Sequence, residues 1–282
     1  MQWLLIQGEK ESLAQSELKN RIIGAIYFGL PFLIFLYLGG IYFKIFLIIL
    51  SLISIYELLK SSNFKDIYFF VPLIVLPFFI DKTISILIFI FYSYLFFLIK
   101  GYEPKDFISN ISVNVIFLII SSLPLSYLYI IRFEKGFKYS FLIIVSIWIS
   151  DIVAYFIGKK YGKHKILPKI SPNKSYEGLL GSLILTTIIL MFINLIFKFF
   201  PLYFCIIFSL LIVILSFLSD TFESLIKRYF GVKDIGKIII GHGGVFDRID
   251  SFIFTIPVIY YILWKTFFLL EQLVQLEKAH LK

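Results

Sequence analysis

The chain reads as a succession of long apolar runs separated by short polar breaks. The runs cover residues 22–38, 41–56, 67–80, 83–99, 107–131, 139–158, 179–197, 199–219 and 251–270. They are continuously apolar, whereas the strands of a membrane barrel alternate with period two, so the pattern predicts helices. A hydrocarbon core of about 30 Å needs about 20 apolar residues in helical form. The expectation is an all-α, polytopic integral membrane protein with about nine transmembrane helices. The runs 67–80 and 83–99 are short and only Asp81 and Lys82 part them. They read as two short spans or as one re-entrant pair. Around this single membrane domain, 21–270, lie an N-terminal tail, 1–20, and a C-terminal helical tail, 271–282.

Composition removes the soluble alternative. The 282 residues are 60% hydrophobic and 20% aromatic, with 34 Phe, and only 16% are charged, against roughly 25% in a soluble domain. No water-soluble fold of this length hides so much apolar surface. The single cysteine, Cys205, lies in an apolar run and allows neither an intrachain disulfide nor a cysteine-based metal site. No basic segment precedes a hydrophobic core near Met1, so no secretory signal is expected.

The formal net charge of +9 is read first as topology. With the N-terminus inside and nine crossings, the inner face takes 18 of the 27 basic residues and the outer face 8, while Lys44 falls within a span. That bias predicts an N-in, C-out arrangement. Anionic lipids or nucleotides are a second use for the charge; no nucleic-acid partner is expected.

Two polar segments stand out, both on the predicted inner face: 148–181 and 219–251. In the second, Asp220, Glu223, Ser224 and Lys227 recur at i, i+3, i+4 and i+7, one stripe of a helix. Lys233 and Asp234 follow, then glycines between Gly231 and Gly244, then Asp247, Arg248 and Asp250. Asp247 and Asp250 share a face if a helix starts near Phe246. Carboxylates at the ends of membrane helices are costly unless paired or bound to an ion. Hard oxygen ligands suit Mg²⁺, which binds through one or two carboxylates plus substrate phosphates. Glycines admit phosphate close to backbone amides, and Lys and Arg neutralise it. The residues alone point to a membrane enzyme or transporter that handles an anionic, phosphate-bearing substrate.

The stretch Ser224–Asp250 resembles the signature of the phosphatidate cytidylyltransferases (CDP-diacylglycerol synthases): S-x-x-K-R, four residues, K-D, then H-G-G-x-x-D-R-x-D. The first polar segment is similar to the same family at Asp151, Ala154, Tyr155, Gly158 and Gly162, and again at Ser171, Pro172, Lys174, Ser175, Glu177 and Gly178. The specific match covers about 148–255. Two positions depart from the family pattern: Ile240 stands where Pro is usual, and Ser219 where Gly is expected.

The resemblance implies a reaction in which a phosphate oxygen of phosphatidate attacks the α-phosphorus of CTP and pyrophosphate leaves. It implies Mg²⁺, with a second cation such as K⁺. It places Asp220, Asp247 and Asp250 in the metal group, with Glu223 behind them. Lys227, Arg228, Lys233, Asp234, His242 and Arg248 become the catalytic set. Asp151, Ser171, Lys174, Glu177, Ser224, Gly243 and Gly244 become substrate contacts. The catalytic loops are then 158–178 and 220–250, facing the cytoplasm from a bacterial inner membrane, in a homodimer. A related CTP-dependent lipid-alcohol kinase and a transporter of an anionic substrate are the competing readings. Against the transporter, the sequence shows no inverted repeat and no matched pair of broken helices.

Overall fold

The computed structural model describes Gly24 and residues 26–61, 65–101, 103–236 and 243–261. The two expected tails lie outside the described residues.

Helix α1, Ile26–Leu38, turns at Gly39 and Gly40, both at positive φ, into α2, Gly40–Ser61. A 3₁₀ segment, Lys65–Phe78, follows and contains Pro72 and Pro77. These prolines remove two amide donors, which disfavours an α-helix here. A 3₁₀ helix rises about 2.0 Å per residue, so its 14 residues reach about 28 Å, close to the thickness of a hydrocarbon core. As an α-helix the same run would stop near 21 Å. Its conformation therefore lends a short run the reach that its length lacked.

Asp81 caps α3, Lys82–Lys100, by accepting from the Thr83 and Ile84 amides at 2.8 and 3.3 Å. Those amides hold its carboxyl below the usual carboxylate range. Gly101 ends α3 in the left-handed conformation. Helix α4, Pro104–Ser121, continues after a bend at Ser122 into α5, Leu123–Tyr161. A straight helix of 39 residues would extend about 58 Å, twice the core. Gly136, at φ 80° and ψ −176°, breaks it into 123–135 and 137–161, a conformation that a side chain resists. The expected polar loop 132–138 thus shrinks to a single non-helical residue. Its cations serve helix ends instead. Arg132 donates to the Leu36 and Tyr37 carbonyls, and Lys138 to the Phe197 carbonyl, where orphan carbonyls and the helix dipole favour positive charge.

The purely helical expectation needs one correction. Strands β1, Lys165–Leu167, and β2, Ser171–Ser175, form an antiparallel hairpin. Ser175 then caps α6, Tyr176–Phe197, by accepting from the Gly178 amide. Helix α7 is Leu202–Tyr229, and two short helices, α8, Phe246–Ile249, and α9, Phe252–Val258, complete the described chain.

Among the described residues, five helices are long and apolar enough to cross a membrane, and three shorter apolar helices accompany them. Large side chains such as Leu87, Phe91, Ile184, Phe192 and Leu195 lie exposed along these helices, as lipid-facing positions require. The helices meet through small polar residues that permit close approach. Ser150 and Ser182 bond across α5 and α6, and Ser54 meets Ser121 across α2 and α4. At the α5–α6 crossing a Cβ on Gly178 would lie 3.0 Å from the Ala154 carbonyl and 3.1 Å from the Gly158 Cα.

Candidate active site

The 28 residues of α7 span about 42 Å, more than a hydrocarbon core, so its last turns carry charge beyond the apolar run. They hold the stripe Asp220, Glu223, Ser224 and Lys227. Glu223 is buried, and Lys227 pairs with it one turn on. The same ammonium bonds Asp247 Oδ1 at 2.9 Å. From the hairpin, Lys174 reaches Asp220 Oδ2 at 2.8 Å and also donates to the Phe217 carbonyl and Thr221 hydroxyl. Strand β2 is thereby pinned to α7.

Asp250 sits in the turn between α8 and α9. One ligand oxygen each from Asp220, Glu223 and Asp250 lies within 4.8 Å of the others. Burial, with Asp220 and Asp151 beside it, pushes the Asp250 carboxyl up to about 8. Asp151, on α5, accepts from the Ser216 and Ser251 hydroxyls at 2.6 and 2.7 Å. It so ties α5, α7 and the α8–α9 turn at one point. Five carboxylates (Asp151, Asp220, Glu223, Asp247, Asp250) gather here against three cations (Lys174, Lys227, Arg248). Three close carboxylates form a donor set of the hard, oxygen kind that a divalent cation such as Mg²⁺ takes.

Beside the cluster, α5, α6, α7 and β2 enclose a cavity of about 220 Å³. Asp151, Lys174 and Asp220 line it together with Asn173, several serines, Ser171 among them, and the apolar Ala154, Leu179, Val213 and Phe217.

The other expected site residues fall as follows. Asp247 adjoins Glu223 but is not one of the three clustered carboxylates. Its Oδ2 accepts from the Gly244 amide at 2.8 Å, an acid reaching back to an orphan donor at a helix start, while its other oxygen takes Lys227. In the clustered group Glu223 accompanies Asp220 and Asp250, where the resemblance implied Asp247. Glu177 does not line the cavity. Its carboxylate takes the Lys163 and His164 amides and His164 Nδ1, fastening the α5–β1 connection. Arg228 donates to the carbonyls of Ile170 and Val232, joining the hairpin turn to the chain after α7. Lys233 and Asp234 are exposed, and Ser224 and Arg248 half-buried. Gly243, at φ 84°, leaves no room for a Cβ beside Asp247. His242 and Ile240 lie outside the described residues. Ser219, at the position where Gly was expected, accepts from the Phe254 amide and links α7 to α9.

Sequence reasoning did not single out Glu57, Ser216 or Ser251. Glu57 was visible as an acid closing an apolar run, the same signal that marked Asp151. The two serines carried no signal of their own.

Comparison with known proteins gives this constellation a context. A family model described as "Cytidylyltransferase family" matches residues 19–266. The phosphatidate cytidylyltransferase of Bacillus subtilis (strain 168) is 29% identical over 263 residues, covering 88% of this chain and 98% of that protein. Those of Staphylococcus haemolyticus (strain JCSC1435) and Staphylococcus aureus (strain COL) are 32% and 31% identical over 272 and 260 residues. Each match covers 86% of this chain and 97% of the relative. With matches that run almost the whole length of both partners and include every element around the carboxylate cluster, the chain belongs to the cytidylyltransferase family.

Proposed function

We propose that the chain is a phosphatidate cytidylyltransferase that binds Mg²⁺ at Asp220, Glu223 and Asp250. The observation that carries the reading is the convergence of these carboxylates from two elements, with Lys174 and Lys227 beside them, next to a partly apolar cavity that Asp220 and Lys174 line. A lipid phosphate and a nucleotide triphosphate each need cationic partners, and only the lipid needs the apolar walls.

The chemistry asks for positioning and charge neutralisation. A phosphate oxygen of phosphatidate forms a bond to the α-phosphorus of CTP as the bond from that phosphorus to the bridging oxygen breaks, releasing pyrophosphate. The nucleophile is already anionic, so no strong base is required. When bound, the divalent ion supplies Lewis-acid stabilisation of charge on the phosphoryl oxygens. Lys174 stands where it can trade Asp220 for a phosphate oxygen, and Lys227 pairs with Glu223 and Asp247 and holds them in place. Asp151 fixes Ser251, and through it the Asp250 turn. Arg228, Lys233, His242 and Arg248 supply further charge and polar contacts to the triphosphate, with Asp234 beside them.

Nine crossings fit the same reading: α1, α2, the 3₁₀ segment, α3, α4 with the first part of α5, the rest of α5, α6, α7 and the segment opened by α9. The basic-residue bias then places the site at the cytoplasmic face of a bacterial inner membrane, and the protein works as a homodimer.

The test is transfer of label from α-³²P CTP to extractable lipid by purified protein, with phosphatidate and Mg²⁺ or EDTA. The expected products are Mg²⁺-dependent labelled lipid and pyrophosphate. Labelled CDP with no labelled lipid would indicate a kinase and overturn the reading.

A further inference from the structure

Glu57 lies on α2, far in sequence from every charged residue of the carboxylate cluster, yet it is among the most buried acids of the molecule, with 2% of its surface exposed. Its Oε2 accepts from the Phe246 amide at 2.9 Å, at the start of α8. Its Oε1 has no hydrogen-bond partner among the described residues. One turn on, Ser61 donates to the Ile235 carbonyl at 2.9 Å. The last turn of α2 therefore grips the glycine-rich connection on both sides, at Ile235 before the glycines and at Phe246 after them.

The glycines explain themselves through the same carboxylate. At Gly244 the nearest atoms that an added Cβ would meet are all from the Glu57 carboxyl group, and it would overlap them. A Cβ on Gly236 would overlap the same carboxylate and crowd the Gly244 Cα. Neither glycine has a positive φ, so backbone strain does not demand glycine at these positions; the space taken by Glu57 does. Gly244 in turn donates its amide to Asp247, whose other oxygen holds Lys227. A chain of contacts thus runs from α2 through Gly244 and Phe246 to Asp247 and Lys227.

We infer that Glu57 is a positioning residue for the cytidylyl transfer proposed above: its carboxylate clamps the glycine-rich connection against α2 and so sets the places of Asp247 and Lys227. This rests on that reading of the reaction. Glu57 touches neither substrate nor metal; it acts through the backbone of 244–246. What it needs is an acceptor of the right shape, so a glutamine suffices and an alanine does not. The hydrogen bond from the Phe246 amide, lost in an alanine variant, corresponds to about tenfold in rate when it is felt in the transition state.

The experiment compares full-length wild type, Glu57→Ala, Glu57→Gln, Gly244→Ala and the double variant Glu57→Ala with Gly244→Ala, all as monodisperse detergent preparations. Two quantities are read: kcat and KM for CTP and phosphatidate, and the rate of tryptic cleavage at the exposed Lys233. Glu57→Ala is expected to lose at least about tenfold in kcat and to be cut several-fold faster, with Glu57→Gln within about threefold of wild type on both measures. Gly244→Ala alone is expected to reproduce the loss, because its Cβ evicts the carboxylate. In the double variant it should add little, since the clashing group is gone. Wild-type kcat in Glu57→Ala would overturn the inference, as would full additivity of the two substitutions. Transfer activity absent from the wild type would sink the reaction instead, and the cleavage rates would still decide the clamp: equal rates in wild type and Glu57→Ala reject it.

Discussion

The two polar ends of the molecule handle charge in opposite ways. At the end marked by Gly136, several polar side chains close onto backbone. Arg132 caps the carbonyls of α1, Lys138 the last carbonyl of α6, Asp81 the amides of α3, and Asn194 both donates to the Phe200 carbonyl and accepts from its amide. At the end marked by Asp250, side chains face one another: Lys174 on Asp220, Lys227 between Glu223 and Asp247, and three carboxylates in near contact. The first arrangement finishes helices. The second gathers like charges where solvent is scarce, which is unfavourable unless something else shares the site. An excess of buried carboxylate, and not mere polarity at a membrane face, therefore separates the reactive end from the structural one.

The largest expected effect tests the reactive end. Asp250→Asn keeps the shape and removes one charge of the cluster, and should lower kcat by about a hundred- to a thousandfold, as loss of a preorganised charge does elsewhere, with little change in thermal midpoint; labelled-lipid formation measures it. Lys227→Ala comes next and should strike both properties. It strands Glu223 and Asp247, and breaking one partner from a buried pair costs about 3–5 kcal/mol, so unfolding in a denaturant series should shift along with the loss of activity. At the other end the sign of the comparison reverses. Gly136→Ala forces a side chain into a left-handed turn at about 1–2 kcal/mol, lowering stability while kcat in the folded fraction stays near wild type. Asp81→Ala is the smallest, about 1 kcal/mol for a lost cap, seen as a few degrees in midpoint and nothing in kcat. A Gly136 or Asp81 variant that lost activity as steeply as Asp250→Asn would erase the distinction between the ends.

The spans were legible because the bilayer imposes one dominant pattern, and the polar segments because charge is rare around them. What sequence alone obscured was short-range geometry. The loop expected at 132–138 proved to be helix broken at Gly136, since a single glycine can reverse the chain and the cations nearby belong to helix ends. The 3₁₀ conformation of 65–78 depends on two prolines whose effect on rise a hydropathy pattern does not register. The hairpin at 165–175 is too short for alternation to show. In the site, i, i+3 spacing placed Asp247 with Asp250, but it could not tell that the Gly244 amide would take one Asp247 oxygen, or that Glu223 would lie within reach of Asp220 and Asp250. Glu57 was hidden for another reason: its partner, the backbone at 246, is 189 residues away, and a bond to backbone carries no residue-type signature.

The account's central claim is that Glu223, rather than Asp247, completes the cation site with Asp220 and Asp250. The direct measurement is Mn²⁺ binding, followed by electron paramagnetic resonance during titration of the purified protein in detergent, for wild type, Glu223→Gln and Asp247→Asn. The account predicts a bound ion in wild type, its loss in Glu223→Gln, and its retention in Asp247→Asn. An ion lost in Asp247→Asn and kept in Glu223→Gln would contradict it.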